Sequence, residues 1–425
     1  MRPGVIVLAP PWPRSGSGNT IAAQTAAYAR RGARVLLLLA PLGRGHARGK
    51  VGLWQDAVSA MKFPGVETVA YVRARRNRLR SFLAWLLAGC DDSIAISARY
   101  AASGALPSDC AEIVTSARVD VVHVNHVFCV PLARRIAAIV EGTQGRRPLI
   151  VLDTHDIQSD AFADRRQRNP YSRRIDARAD LARTELALGA QADILVHVTP
   201  ADCDFFASRL PGKRHEVILP TLHPLIEAEL VRRRRVQRPA EHDFIYIGNQ
   251  HRANLETVRW LLGEVLPLAS PGVRERLRIV GTIGGLLRRR EPALYAANAH
   301  LFAGEVPSLY DYYAGAKAVL APATAGTGSS IKVVEALCAG KPVLATRLAL
   351  RGLPAGETTG DIHVHDTAVG FADAMTRLSA ITAPETRVSL ANAALYDRVF
   401  SNARYFAALD AVIGSLLPLE ASMAR

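Results

Sequence analysis

The stretch AVLAPATAGTGSSIKVVEALCAGKPVLAT, Ala318 to Thr346, decides how the rest of the chain is read. Ala318 to Ala321 is an apolar run that reads as a buried strand. Thr324-Ala325-Gly326-Thr327-Gly328-Ser329-Ser330 follows as a loop of small residues. The spacing then predicts a helix over Ile331 to Cys338, stopped by Gly340 with Pro342 just beyond. Pro342 to Thr346 is a second buried strand and closes a β-loop-α-β unit. A glycine-rich loop feeding a helix N-terminus offers backbone N–H groups and the positive end of the dipole to an anion. Lys332 and Glu335 stand at i and i+3 and share a helix face. A phosphate suits the loop and the lysine, and a ribose diol suits the glutamate. The same pattern also arises from a tight turn followed by an ordinary surface pair, so the rest of the chain has to decide.

The chain has 425 residues, room for two or three domains at roughly 150 residues each. With 49% hydrophobic and 21% charged residues it has a globular composition. Lysine and arginine number 53 against 38 acids, a net charge of +15, which favours anionic partners. Cys90, Cys110, Cys129, Cys203 and Cys338 are scattered and form no CxxC pair, the usage of a reduced, cytoplasmic protein. Val5 to Ala9 is too short for a signal peptide core. Val35 to Leu42 falls far below the roughly 20 apolar residues that span a bilayer. The expected location is cytoplasmic, with peripheral attachment to the inner face of the cell membrane as an option.

The first residues repeat the β-loop-α-β plan. Gly4 to Ala9 is a strand, Arg14 to Asn19 a small-residue loop holding Gly16 and Ser17, Thr20 to Arg31 a helix and Arg34 to Leu39 a strand. The glycines do not fit G-x-G-x-x-G and no acid ends the second strand, which argues against a dinucleotide-binding dehydrogenase. Arg73 to Arg80 holds five arginines and precedes an apolar segment with Phe82 and Trp85. This suits either an anionic membrane surface or an amphipathic core helix. Nucleic acid would prefer aromatics interleaved with the cations, and here they follow them. Asp120 to Asn125 and Leu149 to Thr154 are further strands. The second ends in Thr154-His155-Asp156, a histidine at a strand end beside an acid able to fix its tautomer; a purely structural cap is the alternative. His123 and His126 point to opposite faces of a strand and are not expected to hold a metal. Glu227 to Glu241, with Arg232 to Arg235 consecutive, reads as a linker. From Asp243 the alternation of strands and helices starts afresh. The boundaries expected are an N-terminal Rossmann-like domain over 1–225, a linker over 226–241 and a C-terminal Rossmann-like domain over 242–400.

Phe244 to Gly248, Ala253-Asn254-Leu255, Trp260 to Pro267, Leu277 to Gly281, Gly304-Glu305-Val306, Gly328 to Val343 and Arg351-Gly352-Leu353 come in an order that resembles the second domain of retaining glycosyltransferases of family 4. The N-terminal half resembles that family through its layout, its first small-residue loop, the Thr-His-Asp segment and the exit at Pro220. The resemblance implies an α/β protein of GT-B architecture, two Rossmann-like domains facing each other across a cleft, with a last helix at about 401–425 packing back on the first. It implies transfer of a sugar from a nucleotide-diphosphate sugar, with retention, to a glycan or lipid-linked acceptor. Glu335 would then take the ribose, and Gly328, Ser329, Ser330 and Ile331 the diphosphate and sugar. Val306 would meet the base, with Gly248, Arg252 and Lys332 completing the nucleotide side. His155 would face the transferred sugar with Asp156 beside it. Gly16, Ser17 and Thr327 fall on the sugar or acceptor side. No metal or other cofactor is implied, because helix dipoles and cations do the charge work. Thr327 stands where relatives often carry an acid, which leaves the sugar open. A GT-B epimerase or phosphorylase is the alternative enzyme, and a basic nucleic-acid-binding protein the alternative outside enzymes.

Overall fold

The computed structural model describes residues 2–10, 16–40, 63–71, 111–112, 114–115, 118–160, 177–235, 239–325, 330–381 and 388–414. Arg73 to Arg80, Phe82, Trp85, Thr327, Gly328 and Ser329 lie outside them. The chain divides into two compact units, Met1–Pro224 with Tyr405–Arg425, and Leu225–Arg404.

The first unit is built on a parallel sheet of seven strands in the order β3-β2-β1-β4-β5-β6-β7. They are β1 (Gly4–Ala9), β2 (Arg34–Leu39), β3 (Val66–Tyr71), β4 (Val121–Asn125), β5 (Leu149–Asp153), β6 (Ile194–His197) and β7 (Arg214–Val217). The unbroken apolar runs of β1 and β2 follow from burial on both faces. Ile6, Leu8, Leu36 and Leu38 enter one core cluster. Val5, Val7, Leu37 and Leu39 alternate with them into another. That second cluster also takes Tyr405, Phe406, Leu409, Val412 and Ile413 from the helix Asn402–Ile413.

The second unit carries a parallel sheet of six strands in the order β10-β9-β8-β11-β12-β13. They are β8 (His242–Ile247), β9 (Leu277–Val280), β10 (Phe302–Gly304), β11 (Ala316–Ala321), β12 (Val343–Ala345) and β13 (Ile362–Val364). In both sheets the order reverses beside the first strand of the unit, between β1 and β4 and between β8 and β11. Open parallel sheets bind ligands beyond the carboxyl ends of the strands at such a reversal.

Two local readings change. The helix α1 spans Gly16–Arg30, so Gly16 to Asn19, expected as loop, form its first turn. The stretch expected as linker holds a helix over Pro224–Arg233. There Glu229 pairs with Arg232 at 2.6 Å and Arg233 at 2.7 Å, one turn away, and Leu230 is buried. Charge density that reads as solvated linker is here a helix surface laced with i,i+3 and i,i+4 pairs.

At the end of β9, Gly281 has φ +101°, and a Cβ there would lie 2.5 Å from the Gly248 carbonyl oxygen. Neither demand suits a side chain. Gly281→Ala is therefore expected to destabilise the protein by about 2 kcal/mol, read from denaturant unfolding. A variant as stable as the wild type would show that β8 and β9 do not cross this closely.

Candidate functional site

The second unit concentrates its chemistry where β8 and β11 end. β8 closes at Gly248, whose N–H donates to the Val280 carbonyl at 2.9 Å. The helix Arg252–Trp260 follows, capped by the His251 side chain accepting from the Ala253 N–H. From its first turn Asn254 donates through Nδ2 to the Asn249 carbonyl at 3.1 Å and to Asn249 Oδ1 at 2.7 Å. Its Oδ1 receives Lys332 Nζ at 2.5 Å and the Tyr246 hydroxyl at 3.1 Å. Asn254 thereby ties the loop after β8 to the helix Ile331–Cys338 that follows β11.

Lys332 also lies 4.9 Å from the Tyr246 ring centroid, a cation over an aromatic face. Burial brings its ammonium down to about 8, opposed by the charge of Glu335. Glu335, one turn on, accepts from the Tyr313 hydroxyl at 2.7 Å. Burial raises its carboxyl, while Tyr313 and Lys332 oppose the rise. Lys332 and Glu335 are each half-buried.

Ser330 and Ile331 stand at the N-terminus of that helix, where the Ser330 carbonyl accepts from the Val333 N–H at 3.0 Å. Val306 is half-buried in the loop after β10. Arg252 is engaged with its own helix, Nε to Glu256 Oε1 at 2.6 Å. The described part of this site thus joins Gly248, Lys332 and Glu335 to Tyr246, Asn254 and Tyr313, which sequence reasoning did not single out.

The first unit has its own polar centre at the ends of β4 and β5. His126 and His155, which follow those strands, have φ of 69° and 61°, a left-handed conformation uncommon outside glycine. Their rings stack with centroids 4.2 Å apart, and Phe128 stacks with His126 at 5.1 Å. His155 Nε2 lies 2.7 Å from Asn125 Oδ1 and 3.8 Å from Asp153 Oδ1. Burial pushes the Asp153 carboxyl up, against the pull of the His155 charge, the His155 N–H and the Gln24 amide.

The partner expected to orient the ring was Asp156, from its place next in sequence. The structure gives that contact to Asn125, with Asp153 as the carboxylate near the ring, whereas Asp156 accepts from Gln158 Nε2. Register explains the difference, since Asn125 and Asp153 are directly paired across β4 and β5. His123 is buried and meets the Tyr28 hydroxyl at 2.8 Å. Gly16 and Ser17, at the start of α1, retain exposed surface. Among the described residues no group of three His, Cys, Asp or Glu is placed to hold a metal ion. No helix among them is long and apolar enough to cross a membrane.

Comparisons with known proteins follow the same division. Residues 241–380 match the family model described as Glycosyl transferases group 1. Over the whole chain the architecture is similar to that of Anabaena HepE in complex with UDP, at 15% identity, TM-score 0.62, and 98% and 100% coverage of the two chains. It is also similar to an α,α-trehalose-phosphate synthase (UDP-forming) from Burkholderia vietnamiensis, at 12% identity, TM-score 0.60, and 98% and 100% coverage. The N-terminal domain of Candida albicans trehalose-6-phosphate phosphatase gives 11% identity, TM-score 0.62, and 98% and 97% coverage. No curated protein sequence matches. The chain has the α/β GT-B fold. The family match over the second unit, with that fold, supports a glycosyltransferase.

Proposed function

We propose that the protein transfers a sugar, with retention of anomeric configuration, from a nucleotide-diphosphate sugar to a glycan or lipid-linked acceptor. The observation that carries this is the Lys332–Glu335 pair on the helix after β11, with Asn254 and Tyr246 around the cation and Tyr313 on the carboxylate. A carboxylate held by one hydroxyl donor keeps acceptor capacity for two vicinal ribose hydroxyls. One turn earlier, a helix N-terminus and a lysine supply the positive field that a diphosphate needs. Anabaena HepE, of similar architecture, was solved with UDP and with UDP-glucose, which favours a uridine nucleotide among the donors to test.

The sugar-phosphate bond breaks with negative charge gathering on the leaving diphosphate. Lys332 and the dipole of its helix oppose that charge without a metal. In the first unit His155 is assigned to the sugar, where charge also shifts in the transition state. Gly16 and Ser17, at the N-terminus of α1, are assigned to the acceptor or donor-sugar side.

Melting temperature with UDP, GDP, ADP and dTDP in turn tests this reading. One diphosphate at about 100 times its dissociation constant should stabilise the protein by about 2.7 kcal/mol. The effect should shrink as pH rises through about 8, because Lys332 then loses the proton it offers the phosphate. Below that pH the ammonium is charged and the effect is full. A flat response to all four nucleotides would remove the donor assignment.

A further inference from the structure

We infer that Asn125, held by Gln24 and through it by Asp153, is a positioning residue that fixes hydrogen on His155 Nε2 and leaves Nδ1 as the nitrogen able to meet a ligand. The inference deepens the proposed function and rests on its assignment of His155 to the transferred sugar.

The order of donors and acceptors follows from the two ends of the network. Asp153 Oδ2 receives Gln24 Nε2 at 3.0 Å, and Asp153 Oδ1 receives the His155 backbone N–H at 3.2 Å. With its nitrogen committed to the carboxylate, Gln24 presents Oε1 to Asn125 Nδ2 at 2.9 Å. The Asn125 amide is fixed a second time, because Nδ2 also lies 3.4 Å from the Leu8 carbonyl oxygen, which can only accept. Asn125 must then turn Oδ1 toward His155, where Nε2 lies 2.7 Å away. A ring nitrogen facing an amide oxygen has to be the donor. Gln24 and Asn125 are fully buried and Asp153 is 1% exposed, so the order is set inside the protein. The contributors come from α1, β4 and β5, three elements that meet at the strand reversal, and His126 closes one face of the ring.

For the proposed reaction this has a direct consequence. With Nε2 occupied, His155 can accept a hydrogen bond from a sugar hydroxyl at Nδ1 when neutral and donate one there when protonated. Without Asn125 the ring can change tautomer and rotate, which spoils its alignment with the reacting sugar.

The test is a long-range proton–nitrogen correlation spectrum of the full-length protein labelled with 15N-histidine. It is recorded at about pH 8.5, about two units above the ordinary imidazole value. His155 is assigned by the signals lost in His155→Gln. The expected pattern is a protonated Nε2 and a bare Nδ1, converted to a mixture of tautomers in Asn125→Leu. Asn125→Ala, which removes the same amide with a smaller side chain, should give the same conversion and serves if Asn125→Leu fails to fold. Both variants should lose about 100-fold in kcat with the donor KM unchanged. A protonated Nδ1 in the wild type, or the wild-type tautomer persisting in a folded variant, would overturn the inference. Full activity in His155→Gln would instead overturn the assignment of His155 and leave the tautomer result standing.

Discussion

Glu335→Ala is expected to lose about 100- to 1000-fold in the release of nucleoside diphosphate from the donor, equivalent to about 3–4 kcal/mol. The carboxylate is half-buried, receives the Tyr313 hydroxyl and offsets the charge of Lys332. Removing it deletes the ribose acceptor and strands the Tyr313 hydroxyl that donates to it. Lys332 would also lose the charge that holds its proton against burial, so the phosphate side weakens along with the ribose side. Tyr313→Phe keeps the carboxylate and removes only its support, and should cost about tenfold. The ratio between the two variants separates contact with the nucleotide from its positioning. Product release measured alongside the circular dichroism melt excludes simple unfolding. Normal turnover in a folded Glu335→Ala protein would end the assignment of this helix to the nucleotide.

Much of the fold could be read from the chain because parallel strands buried on both faces leave unbroken apolar runs. Val5 to Ala9, Val35 to Leu39 and Ala318 to Ala321 are of that kind, and glycine or proline punctuates the turns between them. The first turn of α1 was hidden because Gly16, Ser17, Gly18 and Asn19 have weak helix preference and take their conformation from tertiary context. The helix at Pro224–Arg233 was hidden by its charges, although Glu229 precedes Arg232 and Arg233 at the intervals that helices favour. At the site, Lys332 and Glu335 were legible because both lie on one helix at a telling interval. Their partners were not, since Tyr246, Asn254 and Tyr313 come from a strand and two other helices. The same holds for His155. Proximity in sequence pointed to Asp156, while strand register delivers Asn125 and Asp153. A signal was present, because polar Asn125 and Asp153 each end a buried strand, that of Asp153 otherwise apolar. Such residues in a buried sheet need partners.

His155 supplies the second large effect, and its backbone makes the result easier to interpret. His155→Ala should lower sugar transfer by about 100- to 1000-fold, the range for removing one group that meets charge developing in a transition state. It should leave stabilisation by nucleoside diphosphate unchanged, since Lys332 and Glu335 belong to the other unit. His155→Gly should be equally inactive and yet more stable than His155→Ala by about 1 kcal/mol, because φ of 61° is strained for any residue with a Cβ and free for glycine. The two variants lose the same ring, so their difference in melting isolates the backbone. Near-normal transfer by either variant would remove His155 from the reaction. An alanine variant more stable than the glycine one would show that the left-handed turn carries no strain. The expected pair of results, lost activity with strain relieved by glycine, is what a side chain forced into an uncommon conformation for its function produces. A merely structural strand cap would be under no such demand, and glycine would serve there without loss of transfer.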